Sequence, residues 1–213
     1  MARKSFERTE NVRDARLVVI AAEGRETENI YFEAMRVYLH ASRVQVKVLP
    51  RNSNNSSPED VFQQIQAYVQ EYDIDDDDQL WVVVDRDRWK IKMLKSVAQK
   101  CNQNKYINFC VSNPCFELWL ILHLEDVMAY SPENLELLRK NKKVNSNDTW
   151  TKKRLRDLMK GGYHESKYDA VKLLAYIDTA ISRAETLDVN PNDRWPQGVG
   201  TRVYRVAKRI LGR

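Results

Sequence analysis

The stretch LWVVVDRDRW (80–89) runs from apolar residues straight into two acids, Asp85 and Asp87. In extended chain, residues two apart share a face, so the two carboxylates can converge if the strand continues that far. Like charges that close repel strongly at low dielectric, and a divalent cation removes the repulsion. Mg²⁺ prefers carboxylate oxygens, and a site of that kind suits phosphoryl-transfer chemistry. The alternative is a solvated pair balanced by Arg86 and Arg88. Glu23 follows a second apolar run, RLVVIAA (16–22), and is a further candidate ligand or general base; a helix-dipole partner is its other reading. Gly24 would allow a sharp turn between strand and helix. Glu117 lies in CFELWLILHL (115–124), apolar nearly all round. A carboxylate buried there costs several kcal/mol unless it is paired or coordinated. Both a salt bridge and a site role therefore stay open. His123 falls on the face of Phe116 and Trp119, which fits a satisfied core histidine better than a ligand.

Other signals are weaker. Lys167, in GGYHESKYDA (161–170), could meet a phosphate as a point charge near a helix start. Gly198 and Gly200 precede Thr201, read as the N-cap of a last helix whose free amides could hold a phosphate. The acidic DIDDDD (73–78) precedes its strand, lies at the opposite sheet edge, and reads as a solvated turn. Residues 139–172 hold eleven Lys or Arg against four acids, and residues 194–213 hold six bases and no acid. A phosphate-contacting surface with Lys152, Lys153, Arg154, Lys167 and Arg202 competes with plain solvated helix faces. The chain has no GxxxxGK[ST] loop, and its three histidines assemble no Ser–His–acid or Cys–His arrangement.

These groups need a frame. Strands are expected at 16–22, 43–50, 80–84 and 106–111, and helices at 27–40, from Pro58, and at 91–103. The β-α-β-α-β-α-β order implies an α/β fold with a mainly parallel four-stranded sheet flanked by helices. Asn113 reads as a cap and Pro114 as the start of the next helix. Further helices are expected at 132–142, 149–160, 165–186 and 201–211. The division is an α/β core over 1–125 and a basic helical part over 126–213 packed on it. The 213 residues suffice for a real core, the net charge is +5, and no apolar run reaches membrane-span length. Three cysteines without zinc spacing and a polar N-terminus point to a reduced, cytoplasmic protein.

Together, several segments resemble one family. EGRETENIYF, VDRDRW, SNPCFELWLILHL, GYHESKYD and GTRVYRVAKRI resemble, in order, the motifs of the RloB family. The run S-N-P-C-F-E is the most specific of them. The final segment departs, with G-V-G-T where the family often has N-P-x-T. The resemblance implies a Toprim-like core, Mg²⁺ (or Mn²⁺) held by Asp85 and Asp87, Glu23 as acid/base or ligand, and Glu117 and Lys167 near the same site. It also implies a bacterial setting in restriction-modification or abortive-infection loci, often beside an AAA-type ATPase. The expected function is a metal-dependent nuclease acting on DNA or RNA, in a chain that could form homo-oligomers. The alternative is a non-catalytic nucleic-acid-binding or ATPase-partner subunit.

Overall fold

A computed structural model describes residue 4 and residues 15–38, 43–51 and 56–213. Most of the expected N-terminal polar segment, the end of the first helix at 39–40 and loop residues 52–55 lie outside the described residues.

The apolar runs form the centre of a five-stranded sheet: β1 (Arg16–Ala22), β2 (Val44–Val48), β3 (Gln79–Asp85), β4 (Ile107–Asn113) and β7 (Gly200–Thr201), in the order β2-β1-β3-β4-β7. The first four are parallel. The fifth was not expected. β7 pairs antiparallel with β4, Ser112 against Thr201 and Asn113 against Gly200, so the sheet is mixed. Thr201 is thus a strand residue and not the cap of the last helix. It is fully buried and its Oγ1 lies 2.7 Å from Ser112 Oγ.

Helices α1 (Thr27–Tyr38), α2 (Pro58–Glu71) and α3 (Ile91–Asn102) connect the parallel strands. Ser57 and Asp60 cap α2 reciprocally, with Pro58 in its first turn. Successive strand residues point to opposite faces, which divides the core in two. Leu17, Val19, Ala21, Leu80, Val82 and Val84 pack with α2 and α3 residues such as Phe62, Ile65 and Leu94. Val18, Ile20, Ala22, Trp81 and Val83 pack on the other face with Tyr31 and Phe32 of α1 and with the C-terminal helices.

At the centre of that second layer is α4 (Glu117–Leu124). Leu118 to Leu122 have no exposure, each stabilising the fold by about 1.5–3 kcal/mol. The strand-to-helix junction differs from expectation. β4 extends to Asn113, a cis peptide joins it to Pro114, and the helix opens only at Glu117. The side-chain amide of Asn113 donates instead to the carbonyls of Pro196, Gln197 and Gly198 at 2.8–3.2 Å.

Then follow α5 (Pro132–Lys140) and α6 (Trp150–Leu158). The helix expected over 165–186 is a hairpin, β5 (Tyr163–His164) and β6 (Lys167–Tyr168), followed by α7 (Ala170–Leu174) and α8 (Ile177–Leu187). The chain ends in α9 (Val203–Ile210). Helices α6, α7 and α8 all contact α4, while α9 packs directly against β4 and β2. Among the described residues no helix is long and apolar enough to cross a membrane. The three cysteines are free and buried.

A carboxylate cavity at the strand ends

The chain leaves β1 towards one side of the sheet and β3 towards the other, so the order β2-β1-β3-β4 reverses direction between them. Such a switch point leaves a crevice at the carboxyl ends of the two strands. Glu23 and Asp85 sit there. The Glu23 backbone N–H continues the ladder to Val83 O (2.9 Å), which holds Glu23 beside the end of β3. Its Oε2 accepts the backbone N–H of Asp85 (3.0 Å) and the indole N–H of Trp89 (2.9 Å), and Arg51 donates to its carbonyl (2.7 Å).

β3 ends at Asp85, so Asp87 is placed by a turn and not by strand alternation. The turn is pinned where the N–H groups of Arg86 and Asp87 both donate to Pro114 O, at 3.1 and 3.2 Å. Glu23, Asp85, Asp87 and Glu117 all line one cavity of about 400 Å³. Glu117, buried at the start of α4, accepts a hydrogen bond from Tyr163 Oη (3.1 Å) and has no ion-pair partner among the described residues.

A fifth carboxylate joins them. Glu28, in the first turn of α1, is 5% exposed and lines the cavity, its Oε1 accepting the Gly24 N–H at 3.1 Å. The sequence signal was the pair Gly24…Glu28. A Cβ at position 24 would stand 1.8 Å from Glu28 Oε2, so glycine is what lets the carboxylate lie over the turn.

Burial and neighbouring carboxylates raise four of these acids, Glu28, Asp85, Glu23 and Asp87. Burial, then Glu117 and Glu23, push Glu28 up to about 7. Burial and the neighbouring carboxylates Glu23, Glu28, Glu117 and Asp87 raise Asp85 well above its ordinary value. Burial raises Glu23, against the opposing hydrogen bonds from Asp85 N–H and Trp89. Burial also raises Asp87, with Arg88 opposing. Among the described residues the Asp85 carboxylate has no hydrogen-bond or ion-pair partner.

The donor set, all hard carboxylate oxygens under strong mutual repulsion, matches Mg²⁺ chemistry. As placed, however, no three His, Cys, Asp or Glu side chains among the described residues form a group that could hold a metal ion.

The expected cations separate. Lys152, on α6, lines the cavity and is paired with Glu165, whose carbonyl also accepts from Thr27 Oγ1 at 3.2 Å. Lys167 is exposed on the β5–β6 hairpin, outside this cavity. That hairpin instead brings Tyr163 to Glu117 and Glu165 to Lys152, and its Tyr168 donates to Thr27 O at 2.7 Å. Lys153 pairs with Asp157 along α6, and Arg154 reaches Glu125. Arg202, expected on a nucleic-acid surface, is 3% exposed and holds Asp188 through Nε (3.0 Å) and Nη2 (3.2 Å). Its environment is structural, and with Thr201 buried beside it the start of α9 offers no open phosphate site. His123 is the satisfied core histidine expected, bonded to Tyr31 Oη and Trp119 O at 2.9 Å and pushed down to about 4 by burial.

The comparison with curated proteins found no match, nor did that with solved structures. The model of the family described as RloB-like protein matches residues 18–210, a span that contains every described strand except Arg16 and Leu17 of β1, together with Glu23, Glu28, Asp85, Asp87 and Glu117. With the match running over nearly the whole chain, the protein belongs to the RloB-like family.

Proposed function

We propose that the carboxylate cavity is the active site of a Mg²⁺-dependent nuclease of the Toprim type, hydrolysing phosphodiester bonds of DNA or RNA in bacterial anti-phage defence, with an AAA-type ATPase as partner. The observation that carries this reading is the meeting of Glu23, Glu28, Asp85, Asp87 and Glu117, drawn from across the chain, in one cavity at the switch point of the sheet.

Asp85 and Asp87 would hold the cation, with Glu23 and Glu117 as further ligands. Bound there, Mg²⁺ or Mn²⁺ supplies charge stabilisation for the attacking and leaving oxygens. The chain's own groups divide the remaining work. Glu23 is held in place by the Asp85 N–H and the Trp89 indole and orients the attacking water. Glu28, near neutrality, is suited to take the proton from that water. Lys152 at the cavity wall faces the phosphate charge. Purified protein incubated with Mg²⁺ or Mn²⁺ and DNA or tRNA tests the reading: the wild type cleaves and Asp85→Asn and Glu23→Gln do not. Cleavage that persists in both variants refutes it.

The carboxylates are not drawn into a ligating group as placed. That favours one alternative, a non-catalytic nucleic-acid-binding or ATPase-partner subunit with a vestigial metal site. Such a protein binds nucleic acid in a salt-dependent way in the presence of a chelator and turns over no substrate with any metal.

A further inference from the structure

Asp87 lines two cavities. On one side lies the carboxylate site, whose walls carry seven acids and four bases. On the other is a wider groove of about 910 Å³. Its charged lining is reversed: Arg86, Lys95, Arg139, Lys140 and Arg194 against Asp87 and Asp193. Lys95, in α3, and Arg194, in the loop before β7, are exposed and have no ion-pair partner among the described residues. Arg139 and Lys140 share a single acid, Glu136, at 2.7 and 2.9 Å, so one positive charge of that trio is unbalanced. Ile91, Pro114 and Trp195 add apolar lining to the groove, and Ile91 is half exposed.

We infer that this groove is the track for an unpaired polynucleotide strand, whose phosphates lie on Lys95, Arg194 and their basic neighbours while one nucleotide turns past Asp87 into the carboxylate cavity. The inference rests on the nuclease reading of that cavity and names its substrate class. A groove lined by basic side chains together with apolar ones is the lining that tracks a sugar–phosphate backbone with its nucleobases. The choice of an unpaired strand comes from the cavity. Glu23, Glu28 and Glu117 are only 5–6% exposed, and a space of about 400 Å³ encloses a ligand of small-molecule size. A nucleotide held in a stacked duplex does not enter such a space without leaving the stack.

The test is fluorescence anisotropy in EDTA, with labelled single-stranded DNA and RNA of mixed sequence and the same strands annealed to their complements. Wild type, the double variant Lys95→Glu/Arg194→Glu and a remote reversal, Lys172→Glu, are compared, with thermal melts confirming that all three fold. The expected result is single strand bound in preference to duplex by wild type and Lys172→Glu. The double variant should bind at least about tenfold more weakly, with a salt slope smaller by about 1.4, at about 0.7 for each lost cation. Unchanged affinity in the double variant, duplex bound as tightly as single strand, or no binding by wild type overturns the inference. A wild type that binds through the groove but shows no cleavage with any divalent metal refutes the nuclease reading and leaves the groove assignment standing. Cleavage and binding untouched by the groove reversal do the opposite.

Discussion

The carboxylate of Glu23, just beyond β1, accepts the backbone N–H of Asp85, the last residue of β3, at 3.0 Å. The same oxygen takes the Trp89 indole N–H at 2.9 Å. One acid side chain thus fixes the ends of two neighbouring strands and the turn that carries Asp87. Glu23→Ala leaves two part-buried donors unpaired, at a cost of about 1–3 kcal/mol each. Denaturant unfolding should show a loss in that range, and cleavage should vanish. Glu23→Ala with wild-type stability would show that the bonds are not what holds the strand ends.

Gly24→Ala tests the fifth carboxylate without touching a charge. The new Cβ cannot coexist with Glu28 Oε2 at 1.8 Å, so the Glu28 side chain must swing away. Secondary structure by circular dichroism should be retained, while cleavage falls at least about tenfold, the scale of losing a positioned proton acceptor. Full activity in this variant would remove Glu28 from the site.

How much of this was legible in the sequence depended on range. The parallel strands are legible as apolar runs, and because each ends at the same sheet edge, Glu23 and Asp85 fall at that edge from sequence alone. Glu117 was legible because an acid in so apolar a helix needs a reason. β7 was not, since two residues pairing with β4 some 90 positions earlier carry no local period. The β5–β6 hairpin was missed for a related reason: its strands are two residues each, and the flanking helical pattern absorbed them. Lys167, which the resemblance implies near the site, lies on that hairpin outside the cavity, and among the described residues Lys152 is the lysine that lines it. Arg202 shows that a basic segment does not announce which of its charges is already spent on a buried partner.

The pH dependence of stability should run downward. Glu28 is raised from 4.5 to about 7, chiefly by burial and then by Glu117 and Glu23. The folded protein therefore keeps a proton that the unfolded chain releases. Its stability contribution is complete below the unfolded value and declines as pH rises to about 7. That amounts to ~3 kcal/mol, on the order of 10 °C in Tm for a chain of this size. Glu23, Asp85 and Asp87 are raised in the same direction. Thermal melts in chelator should show Tm falling between pH 5 and pH 7, with Mg²⁺ restoring it at pH 8 and having little effect at pH 5. A Tm that rises over that interval contradicts the picture.

Lys152 and Arg202 should separate by phenotype. Lys152→Gln keeps the fold and weakens substrate use, chiefly as a raised KM, because the residue lines the cavity. Arg202→Ala leaves the buried Asp188 without its main partner and should cost about 3–5 kcal/mol of stability. Urea unfolding alongside steady-state kinetics distinguishes the two, and the reverse pattern would exchange their roles.

The central claim is that Asp85 and Asp87, with Glu23 and Glu117, hold one divalent cation, and isothermal titration calorimetry with Mn²⁺ and Mg²⁺ at pH 8 tests it most directly. The account predicts a saturable heat at about one ion per chain in the wild type that is lost in Asp85→Asn. No heat with either ion, or an unchanged isotherm in Asp85→Asn, would contradict it.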